Sequence, residues 1–360
     1  MIPAAKPLIG DEERAAVDRI LRSGMLAQGP EVAAFEEEFS KHVGGRHCVA
    51  MNSGTSALHL GFIAGGIKPG DEVIVPSFSF AATANSVVLA GGVPVFADID
   101  PKTFNIDPTH VESLITKKTK AIMPVHLYGH IAAMDELNAI AAKHNLIVFE
   151  DAAQGHLASL NGKNSGEFSK VASFSFYPTK NMTSGEGGMC VTDSAEVARM
   201  LKLLRNQGQE IRYKNEVVGF NTRMTDIHAA IGRVQLAKLP GWTKKRQENA
   251  AYLNANLKNV VVPHVAPGTT HSYHQYTILI PGKDAGKRDE FIKRIGEKGV
   301  GSGVYYPTPI HRLPSFNLDL HLPVTEEIIK ECVSLPIYPT LTQEELSTIV
   351  SVVNEVAAAL

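Results

Sequence analysis

Four short stretches carry residue types that could do chemistry together. Ser173-Phe174-Ser175-Phe176 alternates like a short buried strand and leads through Tyr177-Pro178-Thr179 to Lys180 and the turn Gly185-Glu186-Gly187-Gly188. Ligands bind at the strand exits of parallel sheets, so Lys180 is a candidate amine nucleophile. Taken alone, such a lysine is ordinarily a solvated turn residue. Glu150-Asp151-Ala152-Ala153-Gln154 follows the apolar run Leu146-Ile147-Val148-Phe149. A carboxylate at the end of a buried strand is costly unless a cation meets it, so Asp151 calls for an Arg, a Lys or a protonated ring nitrogen of a ligand. Asn52-Ser53-Gly54-Thr55-Ser56 joins a strand to a helix, where free N–H groups and Gly54 would suit a phosphate; a plain N-cap explains it equally well. Pro76-Ser77-Phe78-Ser79-Phe80 ends another strand with an aromatic face, which otherwise belongs to the core.

Each stretch has a structural explanation of its own, but the four in combination do not. An anion site, an aromatic platform, a carboxylate and an amine, each on a different crossover, open to one edge of one sheet. Pyridoxal 5'-phosphate needs all of them: a seat for its phosphate, a face contact, an acid for its pyridinium nitrogen and an amine for the Schiff base.

The elements that must position these groups are legible as an alternation. Strands are expected at His47–Met51, 72–75, 94–97, 121–125, 146–150 and Gly188–Thr192, with helices at 55–64, 81–89, 107–115, 134–143 and 196–205. Strands such as Val73-Ile74-Val75 are apolar throughout, which requires a mostly parallel sheet covered by helices on both faces. Helices are also expected from Asp11 to Gly24 and from Pro30 to Gly44, and from Thr225 to a stop near Pro240-Gly241. Another helix follows at about 244–257, then a smaller α/β unit: strands at 276–280 and 303–306, helices at 288–298, 326–332 and 343–356. The expected division is a large domain over 1–243 and a small C-terminal domain over 244–360.

Composition removes other classes. At 360 residues, 44% hydrophobic and 20% charged, this is an ordinary globular chain long enough for two domains. Its 35 Lys and Arg against 37 Asp and Glu give a net charge of −2, without the basic excess that grips nucleic acid or acidic membrane. Cys48, Cys190 and Cys332 are scattered, which argues against a disulfide framework or a zinc site and fits a reducing, cytoplasmic setting. No apolar run approaches membrane-spanning length. His271 and His274 are more simply core or surface polar residues than metal ligands. A nicotinamide fold is disfavoured, because Gly299-Val300-Gly301-Ser302-Gly303 follows a helix rather than a strand.

The motifs also resemble a known family. Pro7, Gly29-Pro30, Ser53-Gly54-Thr55-Ser56-Ala57-Leu58, Val75-Pro76-Ser77-Phe78-Ser79-Phe80, Glu150-Asp151-Ala152-Ala153-Gln154, Ser175-Phe176-Tyr177-Pro178-Thr179-Lys180-Asn181, Arg205-Asn206-Gln207-Gly208, Gly219-Phe220-Asn221-Thr222-Arg223-Met224 and the Tyr306–His311 segment are together similar to the fold-type I, pyridoxal-phosphate-dependent sugar aminotransferases of the DegT/DnrJ/EryC1/StrS group. The resemblance implies that Lys180 carries the cofactor as a Schiff base, Asp151 faces the pyridinium nitrogen, Gln154 touches the ring hydroxyl and Phe80 stacks on the ring. Thr55, Ser56 and Ser175 would hold the phosphate, Asn221 would reach it from a neighbouring subunit of a homodimer, and Tyr306 and His311 would overlook the substrate cleft. It implies L-glutamate as donor and a nucleotide-linked ketosugar as acceptor. Proton transfer by Lys180 needs a neutral amine, and hence a pKa brought down from about 10.4 by burial and nearby positive charge. Lys180 argues against the group's sugar dehydratases, which have histidine there. The pattern Lys180-Asn181-Met182-Thr183 with Gly185-Glu186-Gly187-Gly188 is closer to members acting at sugar C4 than at C3. The alternatives are a regulator that binds the cofactor without turnover, and an aminotransferase for a C3-keto sugar or a cyclic polyol ketone.

Overall fold

The computed structural model describes residues 1–360. Helices α1 (Asp11–Ser23) and α2 (Pro30–Ser40) precede strand β1 (His47–Met51), and the alternation then runs α3 (Gly54–Gly65), β2 (Glu72–Pro76), α4 (Ala82–Leu89), β3 (Val93–Ala97), α5 (Pro108–Ser113), β4 (Thr119–Ile122), α6 (Met134–His144), β5 (Ile147–Asp151), β6 (Val171–Ser175), β7 (Gly188–Thr192) and α7 (Ala195–Arg205). These strands make one seven-stranded sheet in the order β1-β7-β6-β5-β4-β2-β3. Only β7 runs against the others, pairing antiparallel with both β1 and β6. The exits of β1, β2, β5 and β6 and the entry to β7 therefore share one edge.

The sheet is buried on both faces, and its side chains alternate between two helical layers. Val49, Met51, Val73 and Val75 pack with Leu58, Leu60 and Phe62 of α3 and Leu201 and Leu204 of α7. Cys48, Ala50, Phe174 and Phe176 face the other way, toward Val32, Phe35 and Phe39 of α2. Phe39 meets Phe174 and Phe176 with ring centroids at 5.1 and 5.6 Å, so the strand that leads to Lys180 is braced by edge-to-face aromatic contacts.

A second core gathers strands β8 (Tyr276–Leu279) and β9 (Cys332–Leu335) with helices α9 (Ala285–Glu297) and α11 (Gln343–Ala358) around Tyr276, Ile278, Phe291, Val333, Ile349 and Val353. Helix α8 (Asp226–Asn256) joins the two, giving Leu236 and Leu239 to the α2 layer and Ala250 and Leu253 to the second core.

Three expectations are corrected. The helix that was to stop near Pro240-Gly241 runs on as one helix of 31 residues. Proline removes one backbone donor, but Pro240 sits on the exposed side while buried residues anchor the helix on either side of it. Residues 303–306 do not form a strand; Gly303 makes a single bridge to Ser334, and the chain then turns Tyr305 and Tyr306 toward the large sheet. The helix expected over 326–332 is α10 (Pro323–Ile328), after which Cys332-Val333-Ser334-Leu335 pairs antiparallel with β8. Four fully buried residues are too short a run to separate from the end of a helix by periodicity. No helix is long and apolar enough to cross a membrane.

Candidate active site

At the shared edge lies a cavity of about 530 Å³, lined by the strand exits of the large sheet and by His274, Gln275, Tyr305 and Tyr306 from the C-terminal part of the chain. Each strand exit delivers one chemical group to it. Asp151 is the last residue of β5 and is 4% exposed. Its Oδ2 accepts from Thr83 Oγ1 at 2.8 Å and its Oδ1 from the Ala153 N–H at 3.2 Å, but no cationic side chain forms an ion pair with it. Burial pushes the carboxyl above its ordinary range, against the opposing pull of Thr83, the Ala153 N–H and the positive charge of Lys180.

Lys180 stands in the turn after β6, its N–H held by the Tyr177 carbonyl at 2.9 Å. Its amine lines the same cavity and likewise has no ion-pair partner. Burial brings it down to about 8, while Asp151 pulls the other way. The lowering expected from the sequence therefore arises from desolvation alone; no positive neighbour contributes, and the charge that acts on the amine, that of Asp151, opposes it. A buried acid and a half-buried amine, neither in an ion pair and both lining one cavity, are what a ligand carrying a ring cation and an amine-reactive carbonyl would satisfy.

The anion seat is built where α3 begins. Ser53 caps that helix through the Ser56 N–H at 3.1 Å, which leaves the N–H groups of Gly54 and Thr55 ahead of the first turn and free to donate. A Cβ on Gly54 would stand 2.7 Å from the Ser175 Cβ, so the close approach here requires glycine. Gly54, Thr55 and Ser175 line the cavity. Ser56 does not: its hydroxyl donates to Asn52 Oδ1 at 2.7 Å and supports the turn from behind.

Gln154 is fixed at both ends, its Oε1 accepting from the Tyr128 N–H at 2.8 Å and its Nε2 donating to the Tyr306 hydroxyl at 3.2 Å. Phe80, 58% exposed, faces Tyr306 across the mouth with ring centroids 5.9 Å apart. Of the other expected residues, His311 lies elsewhere, and Asn221, expected from a neighbouring subunit, is not part of this chain's own cavity. Asn221 is exposed, bridged to Asn206, and outside the lining. His311 is fully buried behind β2, its Nδ1 2.6 Å from Ser77 Oγ, and does not reach the cleft.

The cavity also holds residues that sequence reading passed over: Ser79, Glu186, His274, Gln275 and Tyr305. His274 is buried and held well below the usual imidazole range by desolvation and by the charge of Lys180, so it lines the cavity as a neutral ring. Glu186 was visible in the glycine turn. His274 and Gln275 come from the loop just before β8, and no local signal brings them to Lys180. Lys180 is the only lysine or arginine in the lining.

Comparison with known proteins agrees with this geometry. NtdA from Bacillus subtilis, solved with bound cofactor PMP, superposes with a TM-score of 0.90 at 32% identity over 97% of this chain and 82% of that one. Fold and site thus define an α/β aminotransferase of the pyridoxal-phosphate-dependent kind. The model of the DegT/DnrJ/EryC1/StrS aminotransferase family matches residues 7–354, and the chain belongs to that family. Among curated relatives, a protein of Geobacillus stearothermophilus named a pleiotropic regulatory protein is 41% identical over 349 residues, covering 94% of this chain and 92% of its own. The dTDP-3-amino-3,4,6-trideoxy-alpha-D-glucose transaminase of Streptomyces venezuelae is 38% identical over 362 residues, covering 98% of this chain and 94% of its own.

Proposed function

We propose that this aminotransferase moves an amino group from L-glutamate to a keto group, at C4, of a nucleotide-linked hexose, using pyridoxal 5'-phosphate. One observation carries the reading: a buried Asp151 and a half-buried Lys180, supplied by separate crossovers, line the same cavity and neither has an ion-pair partner. When bound, the cofactor supplies a carbonyl that exchanges amines and a ring that accepts electrons.

The chain's own residues do the rest. Lys180 would hold the cofactor through Nζ and, once released, carry a proton at that atom; an amine brought down to about 8 is neutral often enough near pH 7.5 to act as base. Asp151 would face the ring nitrogen and Gln154 the ring hydroxyl. Phe80 would cover one face of the ring, and with Tyr305 and Tyr306 would keep water from the reacting atoms. Gly54, Thr55 and Ser175 would seat the phosphate, with Ser56 bracing the turn.

Substrate phosphates and the carboxylates of glutamate need cations, and one chain offers its cavity none besides Lys180. This supports a homodimer in which Asn221 and basic residues enter from a second copy. The division into domains is proposed at residues 243–244, within α8. The C4 assignment rests on the Lys180-Asn181-Met182-Thr183 and Gly185-Glu186-Gly187-Gly188 patterns, against the 3-amino product named for the Streptomyces relative.

Incubation with a panel of nucleotide 3- and 4-ketosugars, each with glutamate and with other amino acids as donors, read by mass, tests donor, acceptor class and position. Amine gain on a 4-keto acceptor is expected; gain on 3-keto acceptors alone moves the position, and no gain on any removes the acceptor class. The regulatory name of the Geobacillus relative favours one second reading, a cofactor-binding regulator, which sustained turnover would exclude.

A further inference from the structure

Two hydroxyls run from the cavity to the buried acid. Thr83, in the first turn of α4, is fully buried, and its Oγ1 donates to Asp151 Oδ2 at 2.8 Å. A hydroxyl has one proton, so Thr83, spending it on Asp151, must accept from Ser79 Oγ, also 2.8 Å away. Ser79 is 3% exposed and lines the cavity. The two stand four residues apart on either side of Phe80, so one short segment supplies the ring cover, the cavity hydroxyl and the donor to Asp151.

We propose that Thr83, oriented by Ser79, is a positioning residue that keeps the Asp151 carboxylate ionised and aimed into the cavity for a cationic ring nitrogen. The inference rests on the cofactor reading above. A donor to the charged form of a buried acid lowers its pKa, and the backbone offers Asp151 only one, from Ala153. The other groups facing Asp151 do not replace it. Lys180 has no ion-pair contact with it, and the Tyr306 hydroxyl, which accepts from Gln154, makes no hydrogen bond to it. His126 spends Nε2 on Glu150 at 2.8 Å, which turns the Glu150 carboxylate away from its neighbour in sequence.

The test compares wild type with Thr83→Val, Thr83→Ser and Ser79→Ala. In cofactor-free protein, infrared difference titration follows the protonated-carboxyl band that disappears in Asp151→Asn. Thr83→Val is expected to move that midpoint up by about one unit and to weaken pyridoxal phosphate binding, read by fluorescence, about tenfold. Thr83→Ser should restore both values, and Ser79→Ala should shift them in the same direction by less. A Thr83→Val protein with wild-type midpoint and affinity overturns the proposal, as does a Thr83→Ser protein no better than Thr83→Val. If Thr83→Val does not fold, Ser79→Ala decides: a shifted midpoint supports the chain of hydroxyls and an unshifted one removes it. A wild type that takes up no pyridoxal phosphate sinks the cofactor reading, while the infrared titration still judges Thr83.

Discussion

At Lys180 burial and charge pull in opposite directions, and burial wins. Two results should follow. Labelling of Lys180 by trinitrobenzenesulfonate in cofactor-free protein, counted by peptide mass, should rise with a midpoint near 8 rather than at the ordinary 10.5. The sign for stability is equally definite. Between those two pH values the unfolded chain holds a proton that the folded one has lost, so stability rises with pH across the window. Below pH 8 the buried charge costs on the order of 3 kcal/mol. Lys180→Met should therefore stabilise the cofactor-free protein at pH 7, as read by urea unfolding, and the gain should fade toward pH 10.5. A constant gain would place the effect in packing instead. Lys180, Asp151 and Gln154 were legible because each lies within a few residues of an apolar strand's end. Thr83 and His274 were not: one is a hydroxyl inside an apolar helix, the other arrives from a distant element, and both matter only through what they touch. His311 misled because its segment does reach the cavity, through Tyr305 and Tyr306, while its own ring turns back to Ser77.

Elements obey the same mixture of local rule and packing. The strands of the large sheet stood out because burial on both faces makes each one continuously apolar; β9 did not, being short and next to a helix. The α3 entrance has a sharp consequence. Gly54→Ala places a methyl group 2.7 Å from the Ser175 Cβ, on the floor of the anion seat. The protein is expected to fold, since the site is half-exposed, yet to lose at least tenfold in affinity for pyridoxal phosphate and for free inorganic phosphate. Pro240 shows packing overriding propensity. Because it sits exposed inside α8 and costs that helix a hydrogen bond, Pro240→Ala should stabilise the protein by about 1 to 3 kcal/mol in thermal unfolding. A loss of stability would mean that the proline sets a bend on which the two cores depend.

For the whole molecule, the distribution of charge matters most. The cavity is lined from the large sheet and the C-terminal part of the chain yet contains a single cationic side chain, and Asn221 lies exposed away from it. Under the proposed dimer, Lys180→Ala and Asn221→Ala proteins, each impaired alone, should recover part of the wild-type turnover when unfolded together and refolded as a mixture, because mixed dimers keep one intact site. Mixtures no more active than their components would confine the site to one chain. The central claim, that one amine and one acid from separate crossovers grip a single pyridoxal phosphate, has a more direct measurement. Borohydride reduction of the loaded protein, followed by peptide mass analysis, should find the cofactor attached to Lys180 alone, with attachment lost in Lys180→Ala and uptake sharply weakened in Asp151→Ala. Attachment to another lysine in a fully active protein, or undiminished uptake without Asp151, would contradict the account.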